Sequence, residues 1–176
     1  MTLAIETVLR FLGLFYVLSG IVVVRTLAAS GMADATYAAI MGTAPSRAER
    51  LREVWLGVGS VLIGLGGLAL ALLLDAAAVL FVLAAAQQGA YLLVVAPRCF
   101  DPADPPDPAG RAKTRNAAIV YGIVTALVVA AAGTGLLRPW HELPGWLAAA
   151  AAVAALAGIG WAAWALGLRD ALGKVD

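Results

Sequence analysis

The amino-acid sequence predicts an all-α integral membrane protein, a single bundle of five transmembrane helices. The first observation is composition: 62% of the 176 residues are hydrophobic and only 13% are charged, whereas a soluble domain is about 45–50% apolar and about 25% charged. A soluble chain of this length cannot cover so much apolar surface, because surface is large relative to volume in a small fold. The second observation is the spacing of the apolar segments, and the third is the placement of the basic residues.

Five apolar segments have the length of a membrane span, since a helix needs about 20 apolar residues to cross a hydrocarbon core about 30 Å thick. They cover residues 3–24, 54–74, 76–95, 117–137 and 146–168. Only Asp75 separates the second segment from the third. One helix over residues 47–95 would be roughly 70 Å long, so we expect the chain to reverse direction near Asp75, with this residue as the N-cap of the third helix.

The basic residues indicate the orientation, because Lys and Arg accumulate in cytoplasmic loops. The loops at 25–53 and 96–116, together with the C-terminal tail, contain ten of the twelve basic residues. Five spans place these three segments on one side, and Arg10 and Arg138 on the other. We therefore expect the N-terminus outside and the C-terminus in the cytoplasm. The abundance of Ala and Arg is typical of a bacterial protein, which makes the bacterial inner membrane the expected location.

The two long loops contain local signals. Residues 46–49 (Ser-Arg-Ala-Glu) match a capping box, which predicts that the second helix begins near Arg47. Residues 34–41 are compatible with a short interfacial helix. In the second loop, three Asp residues recur at three-residue spacing beside prolines. We interpret that segment as a stiff solvated spacer with Asp107 capping the fourth helix; the alternative is a face that binds a cation or a basic partner. The three are Asp101, Asp104 and Asp107.

Gln87 and Gln88 lie near the middle of the third predicted helix, where an amide has no water and must find other partners. Adjacent helical residues point about 100° apart, so at least one partner must come from another helix or a cavity. Two interpretations stay open: interhelical hydrogen bonds that fix helix register, or a polar ligand pocket at the midplane. The other candidates at similar depth are Tyr16, Ser19, Tyr91, Tyr121 and Thr125.

The charged and metal-binding side chains are few. Glu6 and Arg10 are four residues apart near the outer end of the first helix, which favours an ion pair that anchors the helix over a transport or proton-transfer role. Cys99 and His141 are the single cysteine and histidine, so an intrachain disulfide and a Cys/His zinc cluster are excluded. We expect neither a metal site nor a cofactor.

Small residues recur along three of the predicted helices. Lipid offers no hydrophobic drive between helices, so small residues that allow close backbone approach favour packing. We interpret these stripes as packing within the chain, with contact to another protein as the alternative. They are Ser60, Gly64 and Gly67; Gly122, Ala126 and Ala130; and Ala154, Gly158 and Ala162.

No arrangement of residues indicates catalysis, and a net charge of +1 gives no field that attracts nucleic acid. The leading hypothesis is a non-enzymatic accessory or scaffold subunit of a membrane complex, or a binder of a lipid-like or quinone-like molecule. Its expected partners are membrane lipids and other membrane subunits or a second copy. The alternative is a small transporter or channel with a polar station at Gln87 and Gln88. A lipid-acting enzyme at the cytoplasmic interface is the third hypothesis.

Overall fold

A computed structural model describes residues 2–42, 47–100 and 108–172 of the chain. The described residues form five helices that are long and apolar enough to cross a membrane, which confirms the predicted helical class and number. A π-helix, Tyr91–Phe100, continues the third helix, and a short 3₁₀ turn, Trp140–Glu142, precedes the fifth. The helices are α1 (Thr2–Met41), α2 (Arg47–Ala71), α3 (Ala76–Ala90), α4 (Pro108–Gly133) and α5 (Gly145–Leu172).

The long first loop that we expected is mostly helical. α1 continues through residues 25–41 because this stretch is rich in alanine, a strong helix former, and contains no proline. Gly42, with φ of 68°, ends the helix in a conformation that suits glycine. The helix expected over residues 34–41 is therefore the end of α1. α2 begins at Arg47 as the capping box predicted, although the cap itself, Ser46, lies outside the described residues.

α1 and α2 pack with their backbones in contact along a glycine seam formed by Gly13, Gly20 and Gly67. A Cβ atom added to Gly67 would lie 2.6 Å from the carbonyl oxygen of Gly13, and one added to Gly20 would lie 2.8 Å from that of Ser60. Real side chains do not approach so closely, so only glycine fits here. Gly13 lies near the end of α2 and Gly20 near its middle, which makes the two helices antiparallel.

The chain reverses direction between α2 and α3, as predicted, through residues 72–75. Leu73 has φ of 57° and is fully buried. Its N–H donates to the carbonyl of Leu70 at 2.9 Å, and the N–H of Leu74 donates to that of Ala69 at 2.8 Å. This pair of bonds is the Schellman motif, which satisfies the last carbonyls of a helix. The motif, and not a side-chain cap, turns the chain.

Asp75 occupies the N-cap position of α3, as predicted, but the capping bond expected from its side chain is absent. Its backbone is already helical, with φ of −60° and ψ of −30°, and its side chain makes no capping bond. Capping requires a non-helical residue whose side chain can fold back onto the helix. Instead, the N–H of Asp75 donates to the carbonyl of Arg138 at 3.0 Å, and the N–H of Arg138 donates to that of Leu73 at 2.8 Å. We call these two bonds the clasp.

The clasp brings the α2–α3 turn and the segment after α4 together, and we call this end of the bundle the Asp75 end. α4 also finishes in a Schellman motif, with Gly135 at φ of 76°. The fully buried large side chains Leu70, Leu73, Phe81 and Val128 belong to α2, the reversal, α3 and α4. The opposite end, where α1 connects to α2, is the Arg47 end.

The third helix widens before it ends. From Tyr91 to Phe100 it forms a π-helix that includes Pro97. A proline ring in an α-helix clashes with the carbonyl four residues earlier, and a wider turn removes that clash. The helical segment therefore extends beyond Val95, where we expected the span to end. Asp101, Asp104 and Asp107 lie outside the described residues.

Candidate functional site

The main candidate site is an open cavity of about 430 Å³ between α1, α3 and α4, with α2 at its back. We call it the α1–α4 cleft. Phe15, Ile63 and Val120 contribute apolar surface, and Asn116 contributes an amide that the sequence reasoning had not selected. Four of the seven residues predicted to form a midplane pocket line this cleft: Tyr16, Ser19, Gln88 and Tyr121.

Three aromatic rings lie together where α1, α3 and α4 meet. The rings of Phe81 and Tyr121 are stacked, with centroids 5.4 Å apart, and Tyr16 meets both edge-on at 5.2 and 5.5 Å. Edge-on and stacked rings at these distances attract one another beyond simple burial. Since Phe81 is fully buried, the cluster holds both tyrosines in fixed positions.

The hydroxyl of Tyr121 lacks a hydrogen-bond partner. Tyr121 is 5% exposed, and its hydroxyl oxygen is buried with no partner among the described residues. Tyr16 is 8% exposed, and its hydroxyl is not one of the buried atoms without a partner. Buried polar groups are nearly always paired in folded proteins. The Tyr121 hydroxyl is therefore an unpaired polar atom beside the cavity, as the buried Oε1 atom of Gln87 is against α2.

Gln87 and Gln88 have separate environments, as their angular separation requires. Gln88 is half-buried and lines the cleft. Gln87 instead faces α2, where its Nε2 donates to the carbonyl of Trp55 at 2.8 Å. Gly59 permits this contact, because a Cβ atom there would lie 2.9 Å from the Oε1 atom of Gln87. Gln87 thus connects two helices.

Thr125 and Ser19 donate hydrogen bonds within their own helices. Thr125 is buried, and its hydroxyl donates to the carbonyl of Tyr121 at 2.9 Å. The hydroxyl of Ser19 donates to the carbonyl of Phe15 at 2.8 Å, so Ser19 offers the cleft an acceptor and no free proton. Tyr91 begins the π-helix and does not line the cleft.

Glu6 and Arg10, which both belong to the described part of the chain, do not form the expected ion pair. The guanidinium of Arg10 donates from Nη1 to the carbonyl of Ala71 at 3.4 Å. Ala71 is the last residue of α2, where the free carbonyls carry the negative end of the helix dipole. The Arg10 side chain therefore caps the C-terminal end of α2. The spacing of residues within α1 could not predict this contact.

A second cavity, of about 290 Å³, lies between α1, α2 and α5, and we call it the α5 groove. A Cβ atom added to Gly64 would meet nothing within 4 Å. The small residues of α2 and α5 therefore face each other across a gap, while Gly67 closes on α1. The predicted packing residues that line the groove are Ser60, Gly64, Ala154, Gly158 and Ala162.

The small-residue stripe of α4 faces away from the bundle. Gly122, Ala126 and Ala130 are exposed, because α4 turns its aromatic and β-branched face, including Tyr121 and Val128, toward the other helices. Within the described part of the chain, these three residues therefore form no packing face. The seam glycines of α1, Gly13 and Gly20, were not predicted, although their seven-residue spacing is typical of one helix face.

No family model matches the sequence, and comparisons with curated proteins and with solved structures give no match.

Proposed function

We propose that this protein is a non-enzymatic multi-pass membrane protein that binds a lipid-like molecule in the α1–α4 cleft. The observation that carries the proposal is a cavity with apolar walls beside the buried, unpartnered hydroxyl of Tyr121, inside segments of membrane-spanning length. In hydrocarbon, a hydroxyl without a partner is unfavourable by several kcal/mol on transfer scales. A molecule with an apolar body and a small polar end satisfies both parts of the cleft.

The apolar outer surface of the bundle supports this placement. Large apolar side chains are exposed on several helices, including Phe11, Val82, Ile123 and Leu156. A soluble monomer rarely exposes such a continuous apolar surface. We further propose the bacterial inner membrane as the location, with the Asp75 end outside and the Arg47 end in the cytoplasm.

The test blocks the cleft with one substitution. Ala117 lines the cleft and is exposed, so Ala117→Trp places an indole in the cavity. Ala157 is exposed on α5 and lines neither cavity, which makes Ala157→Trp the matched control. Native mass spectrometry of the full chain in mild detergent measures bound lipid. We expect the wild type and Ala157→Trp to retain lipid and Ala117→Trp to lose it; equal retention by all three would refute the proposal.

The role of accessory subunit is compatible with ligand binding. The outward stripe of α4 (Gly122, Ala126, Ala130) is the surface that we propose for a membrane partner or a second copy. Extraction in mild detergent should then yield a complex larger than one chain. Monodisperse monomer in several detergents would argue against this part of the proposal.

The transporter alternative has one observation in its favour, because Gln88 lines a cleft that also contains Asn116. In that case Gln88→Leu should abolish solute flux in reconstituted vesicles. Gln87→Leu should act only through stability, since Gln87 bonds to Trp55. Absence of any flux, or normal flux after replacement of both glutamines by leucine, would remove this alternative.

A further inference from the structure

The polar lining of the α1–α4 cleft is uncharged, and this restricts the ligand of the proposed function. The described residues that line it include no Asp, Glu, Lys, Arg or His. A charged headgroup held among membrane-spanning helices requires an opposite charge or a water-filled path. If the cleft binds a lipid-like molecule, as proposed above, its lining favours a ligand whose polar end is neutral.

The two phenols indicate what that neutral end can offer. A tyrosine hydroxyl can donate one proton and can also accept one, and the buried hydroxyl of Tyr121 has no partner among the described residues. The rings of Tyr16 and Tyr121 meet edge-on at 5.5 Å, and both side chains line the cleft. A carbonyl oxygen has two lone pairs and no proton of its own, which matches two donors.

The other polar side chains are compatible with this preference. Gln88 and Asn116 line the cleft, and each carries an amide with two N–H donors and one acceptor oxygen. Ser19 has already given its proton to Phe15. A ligand carbonyl can therefore accept a hydrogen bond from an amide N–H as well as from a phenol.

The size of the cleft fits such a molecule. Sites for small molecules usually enclose about 300–1,000 Å³, and the cleft measures about 430 Å³. That volume accommodates a polar end and the first part of a hydrocarbon chain. The cleft is open, so the rest of the chain can remain among the membrane lipids.

We propose that the α1–α4 cleft recognises the uncharged, carbonyl-bearing end of a membrane lipid, whose carbonyl oxygen accepts hydrogen bonds from the hydroxyls of Tyr16 and Tyr121. Two membrane molecules share this chemistry: a prenylated quinone, through a ring carbonyl, and an acylglycerol, through an ester carbonyl. A phospholipid with an anionic headgroup is disfavoured, because the lining supplies no positive charge.

The experiment titrates the purified full chain in detergent with three probes: decylubiquinone, dioleoylglycerol and phosphatidylglycerol. We expect at least one of the two neutral probes to bind and phosphatidylglycerol to bind weakly or not at all; the tighter neutral probe identifies the source. Tyr16→Phe and Tyr121→Phe should each weaken that binding about fivefold, the effect of one neutral hydrogen bond. Tyr37, which is 62% exposed on α1 outside the cleft, provides the control Tyr37→Phe.

An infrared measurement separates hydrogen bonding from a general loss of structure. A ¹³C-labelled carbonyl in the bound probe should absorb at lower frequency than in detergent alone, and the shift should shrink in Tyr121→Phe. Binding and frequency unchanged in both cleft variants, or equal binding of phosphatidylglycerol, would overturn the inference. Loss of lipid in Ala117→Trp would then still support the proposed function. Retention of lipid by Ala117→Trp would contradict both the proposed function and the inference about its ligand.

Discussion

At the scale of single residues, backbone conformation distinguishes two neighbouring glycines of α4. Gly133 is the last helical residue, while Gly135 has φ of 76° and forms the Schellman motif. A Cβ atom at either position would meet nothing within 4 Å. Space is therefore equal at the two positions, and only the backbone angle differs.

Alanine at these two positions should change stability in opposite directions. Gly135→Ala forces an L-residue into the left-handed region and should destabilise the fold by about 1–2 kcal/mol. Gly133→Ala removes a flexible residue from a helix and should stabilise it by up to about 1 kcal/mol. Unfolding in a mixed-detergent titration measures both. Equal effects would show that Gly135 does not need its positive φ.

A second pair of glycines tests the contact between α1 and α2. Gly67 belongs to the glycine seam, whereas Gly64, on the same helix, faces the α5 groove. Gly67→Ala must push two backbones apart, so we expect a loss of about 1–3 kcal/mol. Gly64→Ala should be neutral or stabilising. The same unfolding titration compares them, and a tolerated Gly67→Ala would contradict the close approach.

At the scale of elements, the length of α1 is the main departure from expectation. The helix extends through residues 25–41, beyond the predicted span. Spin labels placed at successive positions in a Cys99→Ser background should show mobility that varies with a 3.6-residue period. An aperiodic, uniformly mobile profile over this stretch would restore the loop that the sequence predicted.

Some features of the helices and of the site could be predicted from the sequence, and others could not. Span length and the shortness of the interruption at Asp75 were enough to predict five helices and the reversal. Similar depth was enough to group Tyr16, Gln88 and Tyr121. The rotation of each helix was not accessible, because it depends on which faces compete for burial: the Tyr121 face of α4 is buried, and the glycine-containing stripe is not.

Contacts between distant segments were the other limit. The bonds of the clasp join backbone groups, and the bond from the Arg10 side chain ends on the backbone carbonyl of Ala71. Backbone groups leave no trace in the pattern of side chains. Gln87 needed Gly59 opposite it, and nothing in either sequence segment indicated the pairing. The type of residue determines which kind of hydrogen-bond partner a group needs. Only the fold determines which residue provides that partner.

At the scale of the whole molecule, the proposed orientation predicts which ends are accessible from outside. Asp75 is exposed and enters the clasp through its backbone alone, so Asp75→Cys should preserve the fold. In intact cells, a membrane-impermeant maleimide should label Asp75→Cys in a Cys99→Ser background. Native Cys99, exposed near the other end of α3's π-helical extension, should react only after permeabilisation.

Two other labelling results are informative. The reverse pattern would invert the orientation and assign the Arg47 end to the outside. Equal labelling of both positions in intact cells would contradict an odd number of crossings between them and would require a different count of spans.

The clasp also has a consequence for the order of biosynthesis. The amide of Asp75 and the carbonyl of Leu73 cannot form their hydrogen bonds until Arg138 has been synthesised, roughly 60 residues later in the chain. At ribosomal rates of 5–20 residues per second, that interval lasts about 3–12 s. The hairpin of α1 and α2 can pack during this time, since its seam is already complete. A nascent chain halted before Arg138 therefore retains its first hairpin but leaves the Asp75 end open.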